Sequence, residues 1–497
     1  MNLSAIVENH PANAAAIVSR GAVTTYGDLR NQVAELRGGL ARSGIRPGDR
    51  VGLVLANNWF FVVGYLSALG VGAIVVPLNP NSPATELQGE LESVRPKVLI
   101  AGAAGSDAVN GLDRDAIGLE HVFAPEGSDI AGATPFESLF GGEASPIVGR
   151  APDDVAVLIF TAGTGGAPKA AMLTHANLLS NIEQAQSQAG QEVLASDVAL
   201  GVLPMFHIFG LNVVLGIALH AGASVVMVER FDPTSAVETI RERNVTVVAG
   251  APTMFAAMTS LPRATARDLA SVRLALTGAA PLPPEVASGF ADHFNIPLRQ
   301  GYGLTEASPV VTSSTLDGDP RAYSIGQVLP GVEVRLVDEE GEDALEGDAG
   351  EIWVRGPNVF AGYWEDPEAT AAAKTDDGWL RTGDVAVTDD DGYLYLIDRA
   401  KDLIIVSGFN VYPAEVEDAI AAHPGVRDVA VVGVPHPHTG ETVKAFVVVE
   451  PGVHLEEDQL IDFVGKRLAR YKCPTKVTFV EELPHGLGGK LLRRALR

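Results

Sequence analysis

One cysteine, Cys473, serves a chain of 497 residues. A single thiol permits no internal disulfide and no cysteine-built metal cage, and points to a reducing cytosol. Basic residues are also scarce: 36 Lys and Arg face 62 Asp and Glu, for a net charge of −26. That balance repels nucleic acid and anionic lipid surfaces and sets both aside as partners. Long hydrophobic runs are nearly absent. Trp59 to Leu78 passes without a charge, but Gly70 and Gly72 divide it into a helix-like half and a β-branched half, AIVVPL. A buried helix followed by a buried strand accounts for it better than a membrane span. The N-terminal residues show no basic leader, so no transmembrane segment and a cytoplasmic location are expected.

What remains is globular material, 46% apolar and 20% charged, long enough for roughly three domain-sized units. The helix, glycine, strand arrangement recurs: LGVGAIVVPL and LHAGASVVMV match at an offset of 150 residues, implying two similar α/β halves. Apolar strands at Val98 to Ala101 and Val245 to Ala249 alternate with helical patterns such as Thr234 to Arg243. Parallel sheets covered on both faces require such strands. From about Ser324 the texture turns to short Gly-, Asp- and Val-rich strands, expected to form a small β-barrel-like unit. After Asp398 a separate α/β unit is expected, with a helix opened by Pro413, strands near Val429 to Val434 and Val443 to Val449, a helix from Leu455 to Tyr471 and a strand near Val477. Charge divides the chain at the same place. Residues 401–497 hold 12 basic and 13 acidic residues, whereas residues 1–400 hold 24 and 49.

The apolar run Val155 to Phe160 ends in FTAGTGGAPKA, residues 160–170. Glycines let successive N–H groups turn inward, threonine hydroxyls add donors, and Lys169 adds a mobile positive charge. Such a loop suits a polyphosphate. It is not the nucleotide-hydrolase phosphate loop, because Pro168 precedes Lys169 and Ala170 follows it. By itself it reads equally well as a Gly/Thr surface turn.

Five further stretches follow in order: PMFHIFG (204–210), GYGLTE (301–306), GWLRTGD (378–384), DRAKDLIIVSGFNVYPAEVE (398–417) and LPHGLGGKLLRR (483–494). Together they resemble the acyl-adenylate-forming superfamily, and within it the acyl-CoA synthetases of the fatty acyl-CoA and coumarate-CoA ligase type. GYGLTE is no dinucleotide fingerprint, since Glu306 stands where the third glycine would be.

The resemblance implies an N-terminal adenylation domain over 1–398, made of two α/β subdomains plus the barrel-like one, and a mobile C-terminal lid over 399–497 with a hinge near Lys401. It implies ATP and CoA as co-substrates with Mg²⁺. Lys490, Glu306, Lys169 and His207 would be catalytic, and nucleotide contacts fall to Thr161, Gly163, Thr164, Gly165, Gly166, Gly278, Ala279, Ala280, Gly301, Tyr302, Gly303, Thr305, Asp384 and Arg399. Glu306 and Thr161 would hold Mg²⁺, a hard cation that prefers oxygen. Lys490 would bridge the substrate carboxylate and the α-phosphate. Phe206, His207 and Gly210 would border the acyl pocket, and Ser407, Gly408, Phe409, Arg470, Tyr471 and Lys472 would meet CoA.

The chain departs from the pattern in places. Ala162 and Gly165 replace hydroxyl residues of the loop, Ala170 replaces a glycine, and Gly488 stands where Ser or Thr is usual. Each lost charge-assisted hydrogen bond costs roughly 1.5–3 kcal/mol if uncompensated, so a weaker grip on ATP is expected. No acidic residue lies between Val198 and Val228 to pair with a substrate ammonium. That argues against an amino-acid substrate, and the resemblance, with SGFNVYP similar to the fatty acyl-CoA ligases, implies a medium- or long-chain fatty acid or an aryl acid. Transfer to an acyl carrier protein, a catalytically weakened nucleotide-binding relative and a homodimer all stay open.

Overall fold

A computed structural model describes residues 1–162, 168–188, 190–314, 321–338, 340–345, 347–399, 404–484 and 496. Three sheets organise them. The first has eight strands. Its centre is parallel, with Val155–Ala162, Ile74–Leu78, Arg50–Val54 and Val98–Ala101 side by side, and Pro168–Thr174 closes one side antiparallel. The second is a path of thirteen strands. Leu298–Gly303, Leu274–Thr277, Val247–Gly250, Val198–Gly201 and Ser224–Met227 run parallel within it. The short strands expected as a barrel-like unit, among them Glu333–Val337, Gly350–Arg355 and Leu380–Thr388, continue this path antiparallel.

The two-fold internal likeness is visible in three dimensions. Helix Trp59–Gly70, then Gly72 at φ +83°, then strand Ile74–Leu78 build one copy. Helix Ile217–Ala221, then Gly222 at φ +80°, then strand Ser224–Met227 build the other. Each glycine supplies the left-handed turn that reverses the chain out of a helix without a Cβ penalty. The charge-free run thus forms a buried helix, capped by Asn58 Oδ1 on the N–H groups of Phe60 and Phe61, and a strand buried on both faces. No helix among the described residues is long and apolar enough to cross a membrane.

A third, five-stranded sheet is built wholly from residues beyond 403, with helices Pro413–Ala421 and Glu457–Gly465 against it. The second of these is shorter than the expected Leu455 to Tyr471 span. Glu456 caps it in a box with Gln459, and past Gly465 the chain closes into a 3₁₀ turn at Arg470–Lys472. That early end places Tyr471 and Lys472 where they face the N-terminal part of the chain.

Candidate active site

Strands of both large sheets end at one crevice, the position where open α/β sheets hold ligands. Ala162, Gly250, Thr277 and Gly303 are the last residues of their strands. A cavity of about 450 Å³ opens there, lined among others by Thr161, Lys169, His207, Tyr302, Glu306 and Asp384. The turn after Thr277 carries Ala279 at φ +64°, a conformation unusual for a residue with a side chain, beside the cavity.

Glu306 sits in the short 3₁₀ turn Thr305–Ala307. Its Oε1 accepts a hydrogen bond from Tyr363 Oη at 2.7 Å and lies 3.5 Å from Thr161 Oγ1. Tyr363 is delivered by a two-residue strand paired with Ala171 and Met172, just downstream of the Gly-rich loop. Its phenol is held far above the usual range, chiefly by burial and then by the Glu306 charge, so it stays a proton donor. Lys169 Nζ lies 5.5 Å from the Tyr363 ring centroid. Carboxylate, hydroxyl, phenol and ammonium therefore meet at the mouth of the loop.

Across the cavity, Tyr302 Oη donates to Asp384 Oδ2 at 2.7 Å. Strand Leu380–Thr388 carries Asp384 and shifts register beside it, and the Gly383 N–H is tied to Glu351 Oε1 at 2.8 Å. Arg399 stands opposite Asp384 in the ladder. His207 Nδ1 accepts the Phe209 N–H at 3.3 Å, which leaves the proton of a neutral ring on Nε2. Burial lowers this imidazole to about 4, so the ring is uncharged at neutral pH.

Beyond His207 the cavity continues as an apolar arm. A π-helix, Phe209–Gly216, runs into helix Ile217–Ala221. Phe209, Val213, Val214, Ile217 and Ala218 from this stretch line the cavity, opposite Leu200, Val247, Ala249 and Leu276. Gln186 and Gln191 border its far end with their amides bonded to Val193 and to Ser313 and Ser314. The ionisable side chains lining the cavity, Lys169, Glu306, Glu351, Arg381 and Asp384 among them, belong to its other half.

The family model described as AMP-binding enzyme matches residues 3–364, and that described as AMP-binding enzyme C-terminal domain matches residues 415–490. The chain belongs to the AMP-binding enzyme family. Among its relatives is a feruloyl-CoA synthase from Amycolatopsis sp., 39% identical over 98% of this chain and 96% of the relative. A long-chain-fatty-acid–CoA ligase of Bacillus subtilis is 35% identical over 97% of this chain and 91% of that one. Of the solved structures, the amide bond synthetase McbA from Marinactinospora thermotolerans superposes with a TM-score of 0.88 at 31% identity, covering 100% of this chain and 99% of that one.

Within this AMP-binding enzyme, the structure draws together Thr161, Lys169, His207, Gly278, Ala279, Ala280, Gly301, Tyr302, Gly303, Thr305, Glu306, Asp384 and Gly408 around the large cavity. Gly163, Thr164, Gly165, Gly166, Lys401 and Lys490 lie outside the described residues, as does the side chain of Arg399. Two expectations need correction, and a third residue has unexpected partners. Phe206 does not line the acyl arm; it faces a smaller second cavity and stacks on Phe409 with centroids 6.4 Å apart. Gly210 is packed away from the arm, with no room for a Cβ against the Pro204 carbonyl. Lys472, expected to meet CoA, has its ammonium turned to Glu86 and Glu415 in this structure. Arg470 is exposed and lines neither cavity, while Phe409 and Tyr471 wall the smaller one. Ser407 belongs to the turn that presents Phe409.

Tyr363, Glu351 and Tyr412 were missed. Tyr363 stands in FAGYWEDP, whose Asp-Pro signals the helix that follows, and nothing local tells that the preceding pair of residues joins the edge of a sheet.

Proposed function

We propose that this AMP-binding enzyme is an ATP-dependent carboxylate–CoA ligase acting on a carboxylate whose acyl group is apolar and uncharged. The observation that carries the reading is the division of one cavity: a polar half built by Glu306, Tyr363, Thr161, Lys169, Tyr302 and Asp384, continuous with an uncharged arm. The polar half suits a nucleoside triphosphate and the arm suits an acyl group. A carboxylate oxygen of the acid attacks the α-phosphorus and pyrophosphate leaves, giving acyl-AMP. The CoA sulfur then attacks the acyl carbonyl, and AMP departs with the bond electrons.

Each residue has a task in this scheme. Asp384, oriented by Tyr302, accepts hydrogen bonds from adjacent ribose hydroxyls. Glu306 and Thr161 offer the hard oxygen donors that Mg²⁺ requires, one carboxylate plus substrate phosphates being a usual set for that ion. Bound there, Mg²⁺ would neutralise charge on the phosphates. Lys169 adds positive charge beside the loop, and neutral His207 borders the reacting carboxylate without adding any. Lys490 is assigned the α-phosphate. Domains of 1–398 and 399–497, a hinge at Lys401 and a cytoplasmic location complete the proposal. The apolar lining of the arm suits a medium- or long-chain fatty acyl group or an aryl group.

The test measures pyrophosphate release from MgATP across fatty and aryl carboxylates, with and without CoA, in the parent and in Lys490→Ala. The expected result is acid-dependent release that falls at least a hundredfold in the variant, with acyl-CoA as product when CoA is present. ATP binding without release for any acid would overturn the reading, and acyl transfer only to a pantetheinylated protein would replace CoA as the acceptor.

A further inference from the structure

A second concentration of charge lies where helix Ala84–Val94 meets the C-terminal residues. Lys472 Nζ is 2.5 Å from Glu86 Oε1 and 2.7 Å from Glu415 Oε1, and all three side chains are at most 7% exposed. Glu86 Oε2 also accepts the Ala469 N–H at 2.7 Å, and Thr85 Oγ1 donates to the Lys466 carbonyl at 2.9 Å. One turn along the same helix stands a third buried carboxylate, Glu90. Among the described residues its Oε2 has no hydrogen-bond partner, nor has Glu415 Oε2. Among the described residues, Glu86 and Glu415 bond one buried ammonium, and Glu90 lies within its electrostatic reach.

Such a cluster is a poor way to stabilise a permanent contact. Desolvation consumes most of the Coulombic gain, and apolar side chains of equal volume would hold as well. Its advantage is reversibility, because separated charges regain their hydration whereas separated apolar surfaces are left in water. The cluster also adjoins a cavity that reaches the site. Glu86, Glu90, Lys472, Tyr471 and Phe409 form its outer wall, with Thr161, His207 and Thr305 at the inner end. Tyr471 and Phe409 stack with centroids 4.6 Å apart, so fixing Lys472 fixes the aromatic wall beside it.

We propose that Glu86, Glu90, Glu415 and Lys472 form a releasable latch that positions the C-terminal residues for the thioester-forming half-reaction, and that a proton on Glu90 favours the closed state. Which half-reaction the latch serves rests on the ligase reading; the docking does not.

The groups facing Glu90 are Glu86 on its own helix, and Lys472, Tyr471 and Glu415 from the C-terminal side. Burial and then Glu86 raise Glu90 to about 8, against the opposing pull of Lys472. Burial raises Glu415 as well, and although burial would lower Lys472, its anionic neighbours keep it above its ordinary value. Undocked and hydrated, Glu90 returns toward the ordinary carboxylate range of about 4.3. Docking thus takes up a proton between these values. The Glu90 contribution to docking is full at the acid end of that interval, weakens as pH rises toward 8, and levels off above that.

The test uses the full chain carrying Cys473→Ser, Thr85→Cys and Lys466→Cys, and reads the yield of a short bis-maleimide cross-link without ligands. Relative to Glu90→Gln at each pH, the yield of the parent should fall several-fold between pH 5.5 and 8. Glu86→Gln should stay low throughout. In a second arm, thioester formation from added acyl-adenylate and CoA should fall at least tenfold in Glu86→Gln, while acid-dependent pyrophosphate release changes less than twofold. Equal cross-linking in all variants, or both half-reactions falling together, would overturn the latch. A parent that forms no thioester would overturn the ligase reading alone, and the cross-link would still decide the latch.

Discussion

A carboxylate that is to hold a cation must be both ionised and aimed, and Glu306 obtains its aim from one neighbour. Tyr363 Oη reaches Glu306 Oε1 at 2.7 Å, while the Thr161 hydroxyl stands at 3.5 Å and contributes little direction. Removing a hydrogen bond to a charged acceptor costs roughly 1.5–3 kcal/mol, which is about ten- to a hundredfold in rate if the bond matters most in the transition state. Tyr363→Phe is therefore expected to lower pyrophosphate release by that factor with an unchanged melting temperature, and Thr161→Val to lower it less. Equal losses in the two variants would show that Tyr363 does not orient the carboxylate. Glu306 itself is legible in the sequence, since GYGLTE is contiguous. Its partner is 57 residues away and arrives through a strand too short to show a period.

Among the elements, the hairpin of Ile404–Val406 and Phe409–Val411 shows why a motif can be plain in sequence while its role is not. Ser407 and Gly408 both have positive φ, +52° and +86°, so they form the type I′ turn that matches strand twist. The sequence Ser-Gly announces that turn. It cannot announce that a Cβ on Gly408 would lie 2.9 Å from Ala251 Cβ, more than 150 residues earlier. Elements defined by local pattern, such as Val98–Ala101, match their predicted bounds, whereas the helix expected to reach Tyr471 stops at Gly465 because its boundary depends on capping. The Glu86–Lys472 pair, 386 residues apart, has no local signature at all. Gly408→Ala meets both the left-handed backbone penalty, about 1–2 kcal/mol, and the contact with Ala251. Thioester formation is expected to fall tenfold or more, and further than pyrophosphate release, while Ser407→Gly folds at least as well as the parent. A larger loss in pyrophosphate release would place the hairpin tip in the first half-reaction instead.

The whole chain divides its interior the way it divides its charge. Its three largest clusters of buried apolar side chains draw only on residues up to Leu394. Two others, centred on Val431, Ala445 and Val477 and on Val432 and Phe446, draw only on residues from Ile404 onward. Among the described residues, the contacts that join the two sides include a polar latch, a stacked phenylalanine pair and the approach of Gly408. Units with separate cores and a modest polar interface unfold as separate cooperative blocks. Calorimetry of the full chain is expected to show more than one transition, the smallest carrying roughly 55 kcal/mol, the enthalpy of about 80 residues. Docking stabilises that unit only while the interface holds. Glu86→Gln should therefore shift the smallest transition down by several degrees and leave the larger unchanged. Raising the pH from 5.5 to 8 should shift it the same way in the parent, since docking takes up a proton, but not in Glu90→Gln. One transition with matching calorimetric and van't Hoff enthalpies would mean that the two cores are coupled far more tightly than their contacts imply, and that the C-terminal residues do not move as a unit.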